Sequence, residues 1–267
     1  MTADRWTQTV RQQLGLGRLL PLGGPRDGAW IAERAARKVL RRAVAQDAAG
    51  VRLGAVRIAP ADPEETQAPV VPLPPSAFPP CALRLTADFA ATLSEPLPTT
   101  ASRLRAILSR TAAEGLGLAV TEVDLRVAEL LDDGEAPPRG GENDGPDAGA
   151  GPEESAGPEE SDGPEEGDGP TGGGRSGVGG DSDEERIAAA VLAVPGVTRL
   201  PGTLGRPVHV TERPDAAGPA LPRRHARVHV AVRSDHRPLD VARAVRAAVA
   251  EALPDRPTAA VLVTAID

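Results

Sequence analysis

The sequence predicts an α+β protein of two small αββαβ units, a tandem duplication, joined by a disordered acidic Gly/Pro/Glu linker. Three observations predict it. Residues 132–183 carry almost no large apolar side chain. The segments on either side run through helical and strand periodicities in one shared order. Their second halves superpose at a constant offset of 141 residues. The chain accordingly divides into an N-terminal amphipathic segment (1–27), a first unit (28–131) with a Pro-rich insertion at 60–80, the linker (132–183) and a second unit (184–267).

The linker composition of Gly, Pro, Glu and Asp cannot bury enough apolar surface to offset its ordering entropy, so a flexible tether is expected. A six-residue unit repeats inside it, GPEESA from Gly151, GPEESD from Gly157 and GPEEGD from Gly163. The repeat is too short and too polar for a solenoid and reads as simple-sequence expansion. Between Asp132 and Glu185 stand 18 acidic and two basic residues, a net −16 within a chain of net −8, which leaves +8 elsewhere.

In the first unit, residues 30–45 predict a helix with Ile31, Ala35, Val39 and Ala43 on one face. Residues 51–59 predict a strand. The prolines of 60–80 cannot donate to a ladder and predict a loop. Leu83, Leu85, Ala87 and Phe89 alternate with polar neighbours, the period of a half-buried strand. A helix over 99–114 follows, with Pro98 near its start and Gly115 past its end. Residues 120–131 form the last strand. The second unit repeats this order: helix 184–194, strands 207–211 and 226–233, a helix from Pro238 to about 253, and a strand over 258–266. At the offset of 141, Leu85, Ala87, Phe89 and Ala91 fall on Ala226, Val228, Val230 and Val232, and Leu104 and Leu108 fall on Val245 and Val249.

Composition excludes several classes of function. Cys81 is the single cysteine, so the chain can hold neither an internal disulfide nor a multi-cysteine metal site, which fits a reducing cytoplasm. The start of the chain lacks a secretory pattern, and no stretch reaches the roughly 18 apolar residues of a spanning helix. Lys38 is the only lysine among 30 basic residues, and Ala, Gly and Pro abound, a bias of GC-rich bacterial genomes such as those of actinobacteria.

No catalytic constellation emerges, and the chain is read as non-enzymatic, without cofactor or metal. His225 and His229 share a strand face with Arg227 and Arg233, whose charges repel a metal ion, so the face is expected to be an exposed basic surface. Ser94–Glu95 and Ser234–Asp235–His236 bring hydroxyl, acid and base types together only as loop neighbours, without a nucleophile elbow, and read as turn chemistry. Neither Gly15–Gly17–Gly23–Gly24 nor the GGGRSGVGG run has phosphate-loop order. The Arg-rich faces would permit weak nucleic-acid binding, against which stand the scarcity of aromatics and the competing acidic linker. Trp6, Val10 and Leu14, continued by Leu16, Leu19, Leu20 and Leu22, form an apolar stripe expected first to pack on the protein's own domain, with docking on a partner or on a membrane surface as the alternatives. Candidate interaction residues are therefore Trp6, Val10, Leu14, Arg227, His229 and Arg233.

The run from Ile187 to Ile266, with AVPGV at 193–197 and VHVAVRSDHRPLDVARAVRAAVAEAL from Val228, resembles the alkaline-shock, or envelope-stress-response, protein family. The likeness is looser over residues 30–131, where the valine-glycine-valine end is missing and the Pro-rich insertion is foreign. The opening WTQTVRQQLGLGRLLPLGG is also similar to actinobacterial proteins labelled nucleopolyhedrovirus p-ten family. The alkaline-shock resemblance implies a cytoplasmic, non-enzymatic protein that self-associates or docks on a membrane-anchored partner at the inner face of the envelope. It brings no catalytic residues.

Overall fold

A computed structural model describes residues 17–131, 178–202, 206–213 and 223–267. Trp6, Val10, Leu14 and most of the expected linker lie outside these residues. The described chain is mixed α+β, with two sheets, nine strands and four α-helices. No described helix is long and apolar enough to cross a membrane.

The first unit has helix α1 (Glu33–Asp47), strands β3 (Val51–Pro60) and β4 (Leu83–Thr92), helix α2 (Leu97–Arg110) and strand β5 (Val120–Leu131). In its sheet β3 runs antiparallel to β4 and β4 parallel to β5. Leu85, Ala87, Phe89 and Ala91 face inward with Leu104 and Leu108 of α2, each at most 1% exposed. Helix α2 runs past the predicted stop at Gly115 into a π-helical turn (Thr111–Leu116). Gly117 ends it at φ +92°, where any Cβ would lie 2.6 Å from Leu239 of the other unit.

The second unit has helix α3 (Val178–Leu192), strands β6 (Val197–Arg199), β7 (Val208–Arg213) and β8 (Arg223–Val232), helix α4 (Pro238–Ala252) and strand β9 (Thr258–Ile266). Helix α3 begins six residues before the expected start at 184, taking in glycines that composition assigned to the tether. Strands β6 and β7 both run antiparallel to β8, and β8 runs parallel to β9. The two units share an antiparallel pair followed by a helix and a parallel strand, but the second departs from the expected αββαβ order by an additional short strand, β6, on β8. Even the register irregularity in the parallel pair recurs 141 residues on, between Phe89 and Ala90 and between Val230 and Ala231.

The N-terminal stretch departs from expectation. Trp30 and Ile31 do not open α1; they belong to strand β2 (Ala29–Ala32), which forms a hairpin with β1 (Leu19–Leu22). Strand β2 runs parallel to β9, so the sheet of the second unit reads β1-β2-β9-β8-β6, with β7 also on β8. Every residue of β1 and β2 is buried. The stripe at Leu19, Leu20 and Leu22 therefore packs within the molecule, in a hairpin whose Leu20, Leu22, Trp30 and Ile31 are all at most 1% exposed. Within α1 the buried face takes in Ala35 of the expected row together with Ala36, Leu40 and Val44, and Val39 and Ala43 pack half-buried beside it.

The Pro-rich insertion is also part of the structure of the second sheet. It crosses the face opposite α3 and α4, where Val71 and Pro74 are buried. Leu19 N donates to Ser76 O (3.1 Å), Phe78 N to Leu19 O (2.9 Å) and Trp30 Nε1 to Phe78 O (3.0 Å). Further bonds hold the hairpin to α4. The guanidinium of Arg243 grips the Asp27 carboxylate (2.8 and 3.3 Å), and Arg246 donates to the carbonyls of Arg26 (2.6 Å), Asp27 (2.7 Å) and Ala259 (3.2 Å).

Candidate interaction surface

The two central parallel pairs, β4–β5 and β8–β9, differ in what lies beyond them. The far side of β9 carries β2 and β1, whereas β5 ends its sheet among the described residues. The sequences register the difference. Strand β9 is TAAVLVTAI, nearly continuous in apolar residues, and seven of its nine residues are buried. Strand β5 is VTEVDLRVAELL, alternating, with only Leu131 buried. A parallel strand covered on both faces and both edges needs apolar side chains throughout; an edge strand does not.

At this edge Val123 and Leu125 are half-buried, Val127 is 41% exposed and Leu130 is 53% exposed. Leu93, 64% exposed, follows β4 at the same end, beside the Thr92–Leu131 pair. The other face carries charge: Arg84 pairs with Glu122 (2.6 Å) and Asp124 (3.7 Å), Arg126 with Asp88 (2.9 Å), and Arg52 with Glu129. From α2, Arg105 Nε donates to Val123 O (3.1 Å), the one side-chain bond to the β5 backbone among the described residues. Sequence reasoning gave residues 120–131 as the last strand and took none of Val127, Leu93 and Leu130 as a surface group. The signal available was the contrast between the last strands of the two units.

The residues singled out on β8 are not one exposed basic face. His229 is 2% exposed, and His225 is 8% exposed beneath the Pro-rich crossing. The expectation failed because periodicity tells which residues share a face, not what covers it. Burial pushes the His229 imidazole down to about 4, with the Arg227 charge adding to the effect, and its Nδ1 has no hydrogen-bond partner. Arg227 is half-buried, and Arg233 alone of the three is exposed.

Arg233 belongs to a small polar cluster after β8. Its Nε donates to Asp235 (2.7 Å), the Asp235 carboxylate also meets His236 Nδ1 (2.7 Å), and His236 N bonds Arg233 O (3.1 Å). The bond with His236, then Arg233, holds the Asp235 carboxyl below the usual carboxylate range. The matching loop of the first unit has Thr100 Oγ1 donating to Glu95 (3.1 Å) at the first turn of α2. The first brings together the loop between β8 and α4, and the second ties the loop after β4 to α2. Cys81 is buried, and burial raises its thiol pKa. Trp30 and Phe89 are buried, and the half-buried Phe78 is covered by the Arg18 guanidinium at 5.3 Å. Among the described residues no aromatic ring is exposed to stack on a base. Compared with protein-family models, with curated proteins and with solved structures, the chain matches none.

Proposed function

We propose that this protein is a non-catalytic interaction scaffold whose contact surface is the uncovered edge of β5, and that a second copy of the chain is its first partner. The carrying observation is the 12-residue strand β5, which ends its sheet with Val127 and Leu130 exposed, where the corresponding strand β9 is covered by β2. Unpaired strand edges template pairing with another chain, and β-augmentation uses this property for recognition.

The sequence of β5 is self-complementary about Leu125. Pairing two copies antiparallel through that residue sets Asp124 against Arg126 of the second copy, twice, and Val123 against its Val127. Cross-strand pairs of opposite charge and of β-branched residues each contribute about 0.2–1 kcal/mol. The docking strand would displace Arg105 from Val123 O, and Glu122 and Glu129 would disfavour other registers.

The likeness to alkaline-shock proteins supports the wider setting, a scaffold at the inner face of the envelope that docks on a membrane-anchored partner. The shared topology and the recurring offset support an origin of the two units by duplication. Sedimentation analysis of the full chain over a concentration series tests the reading. A monomer–dimer equilibrium that Val127→Lys with Leu130→Lys abolishes, with the fold retained by circular dichroism, is expected. A chain that stays monomeric throughout, or a dimer indifferent to both substitutions, refutes it.

A further inference from the structure

On the face of the second sheet opposite its helices, the Pro-rich crossing leaves a cavity of about 240 Å³ between residues 72–75 and the strands. Its floor is built from two directly opposed cross-strand pairs, His209 with Arg227 and Thr211 with His225, and continues to Ala260, the β9 partner of Arg227. The small Ala260 leaves depth beside the guanidinium. Among the described residues no carboxylate lines the cavity; Glu184 stands 3.7 Å from His209 Nδ1.

Arg227 stands out among the arginines of this sheet. Arg224 pairs with Asp183 (2.8 Å) and Asp255 (3.6 Å), and Arg199 pairs with Asp267 (3.1 Å). Arg227 is half-buried, makes no ion pair or hydrogen bond among the described residues, and its Nε is fully shielded and unpartnered. Of its guanidinium nitrogens only Nε is shielded from water, and a buried N–H left unpaired is costly and rare in folded proteins. One strand position on, His229 Nδ1 is also buried and unpartnered. Thr211 and His225 add hydrogen-bonding groups beside the charge. His225 Nδ1 meets Thr258 Oγ1 at 3.0 Å, which fixes its ring.

We infer that the cavity over Arg227 is an oxyanion-binding site, holding a phosphoryl or carboxylate group between Arg227, Thr211, His209 and His225. The planar fork of arginine suits either group. Two sources share this chemistry: a free small anion, and the glutamates of the acidic run at 153–166 in the same chain. The site lies on the second sheet, away from β5, and stands or falls independently of self-association.

The test follows the Arg227 Nε–H resonance and the melting temperature of the full chain in chloride-free buffer. Inorganic phosphate is expected to shift the resonance saturably and raise the melting temperature, and Arg227→Gln to weaken binding about tenfold or more. Thr211→Val, which keeps the charge, should weaken it less. If the acidic run is the occupant, phosphate has little effect on the native chain. Changing the glutamates at 153, 154, 159, 160, 165 and 166 to Gln then moves the Arg227 signal and opens the site to phosphate. A resonance that responds neither to phosphate nor to the glutamate changes, or a phosphate effect that survives Arg227→Gln, overturns the inference.

Discussion

Single residues carry the electrostatic signature of this fold. His229 is neutral in the folded chain because burial, then the Arg227 charge, favours the uncharged ring. Its folded pKa of about 4 lies below the unfolded value near 6.5, so the unfolded state binds the proton first. Stability from this group is therefore complete above about pH 6.5, declines as pH falls toward 4, and is then flat, with a total loss of roughly 3 kcal/mol. Urea unfolding of His229→Gln against the native chain should show that acid-limb slope removed. Asp27 acts in the opposite sense. Burial works against its charge, but the bonds from Arg243 and from Gly24 N, with the fields of Arg243 and Arg246, hold its carboxyl below the usual range. Its contribution is present above pH about 4 and is lost as pH falls through its folded pKa. Asp27→Asn should lower the unfolding midpoint at pH 7, and by progressively less as pH falls below about 4. These two groups could not be read from the sequence. Periodicity gave the face that His229 shares with His225 and Arg227 but not the residues 72–75 that stand over those two, and nothing near Asp27 in the chain announces Arg243, 216 positions away.

Among the elements, the regular strands and helices were legible because one physical rule governs each. Strand β9 and helix α4 match their expected limits to within a residue, since alternation or an apolar run bounded by Pro238 and by turn residues leaves little choice. Residues 29–32 defeated the same reasoning. AWIA continues smoothly into a helical pattern, and pairing with β1 and the distant β9 makes it a strand. Tertiary pairing outweighs local propensity there, as it commonly does for short apolar runs. The edge role of β5 was visible in its charge alternation once β9 is set beside it. Ile31, 0% exposed in β2, is a sharp probe of the hairpin: Ile31→Ala should cost about 3 kcal/mol by chemical denaturation. Leu130→Lys, at a position 53% exposed in β5, should change the stability of the monomer by less than about 0.5 kcal/mol.

For the whole molecule, the two units are interlocked rather than strung side by side. The second sheet is completed by residues 19–32 and roofed by residues from the 60–80 insertion, so the core of one unit is built partly from the other's chain. Gly23 N to Gly117 O (2.9 Å) and Arg237 to Ala113 O (2.9 Å) add cross-links at the ends of the helices. Residues 178–267 expressed alone should therefore expose the edge of β9 and aggregate, and a peptide spanning 17–32 added in trans should restore a soluble species, as light scattering can report. The contrast between a covered β9 and an uncovered β5 is the centre of the account. Hydrogen–deuterium exchange of the full chain at low and high protein concentration tests it most directly. Protection of the β9 amides at every concentration, with protection of the β5 amides that appears only as concentration rises, is the predicted result. Amides of β5 that exchange equally fast at all concentrations would contradict it.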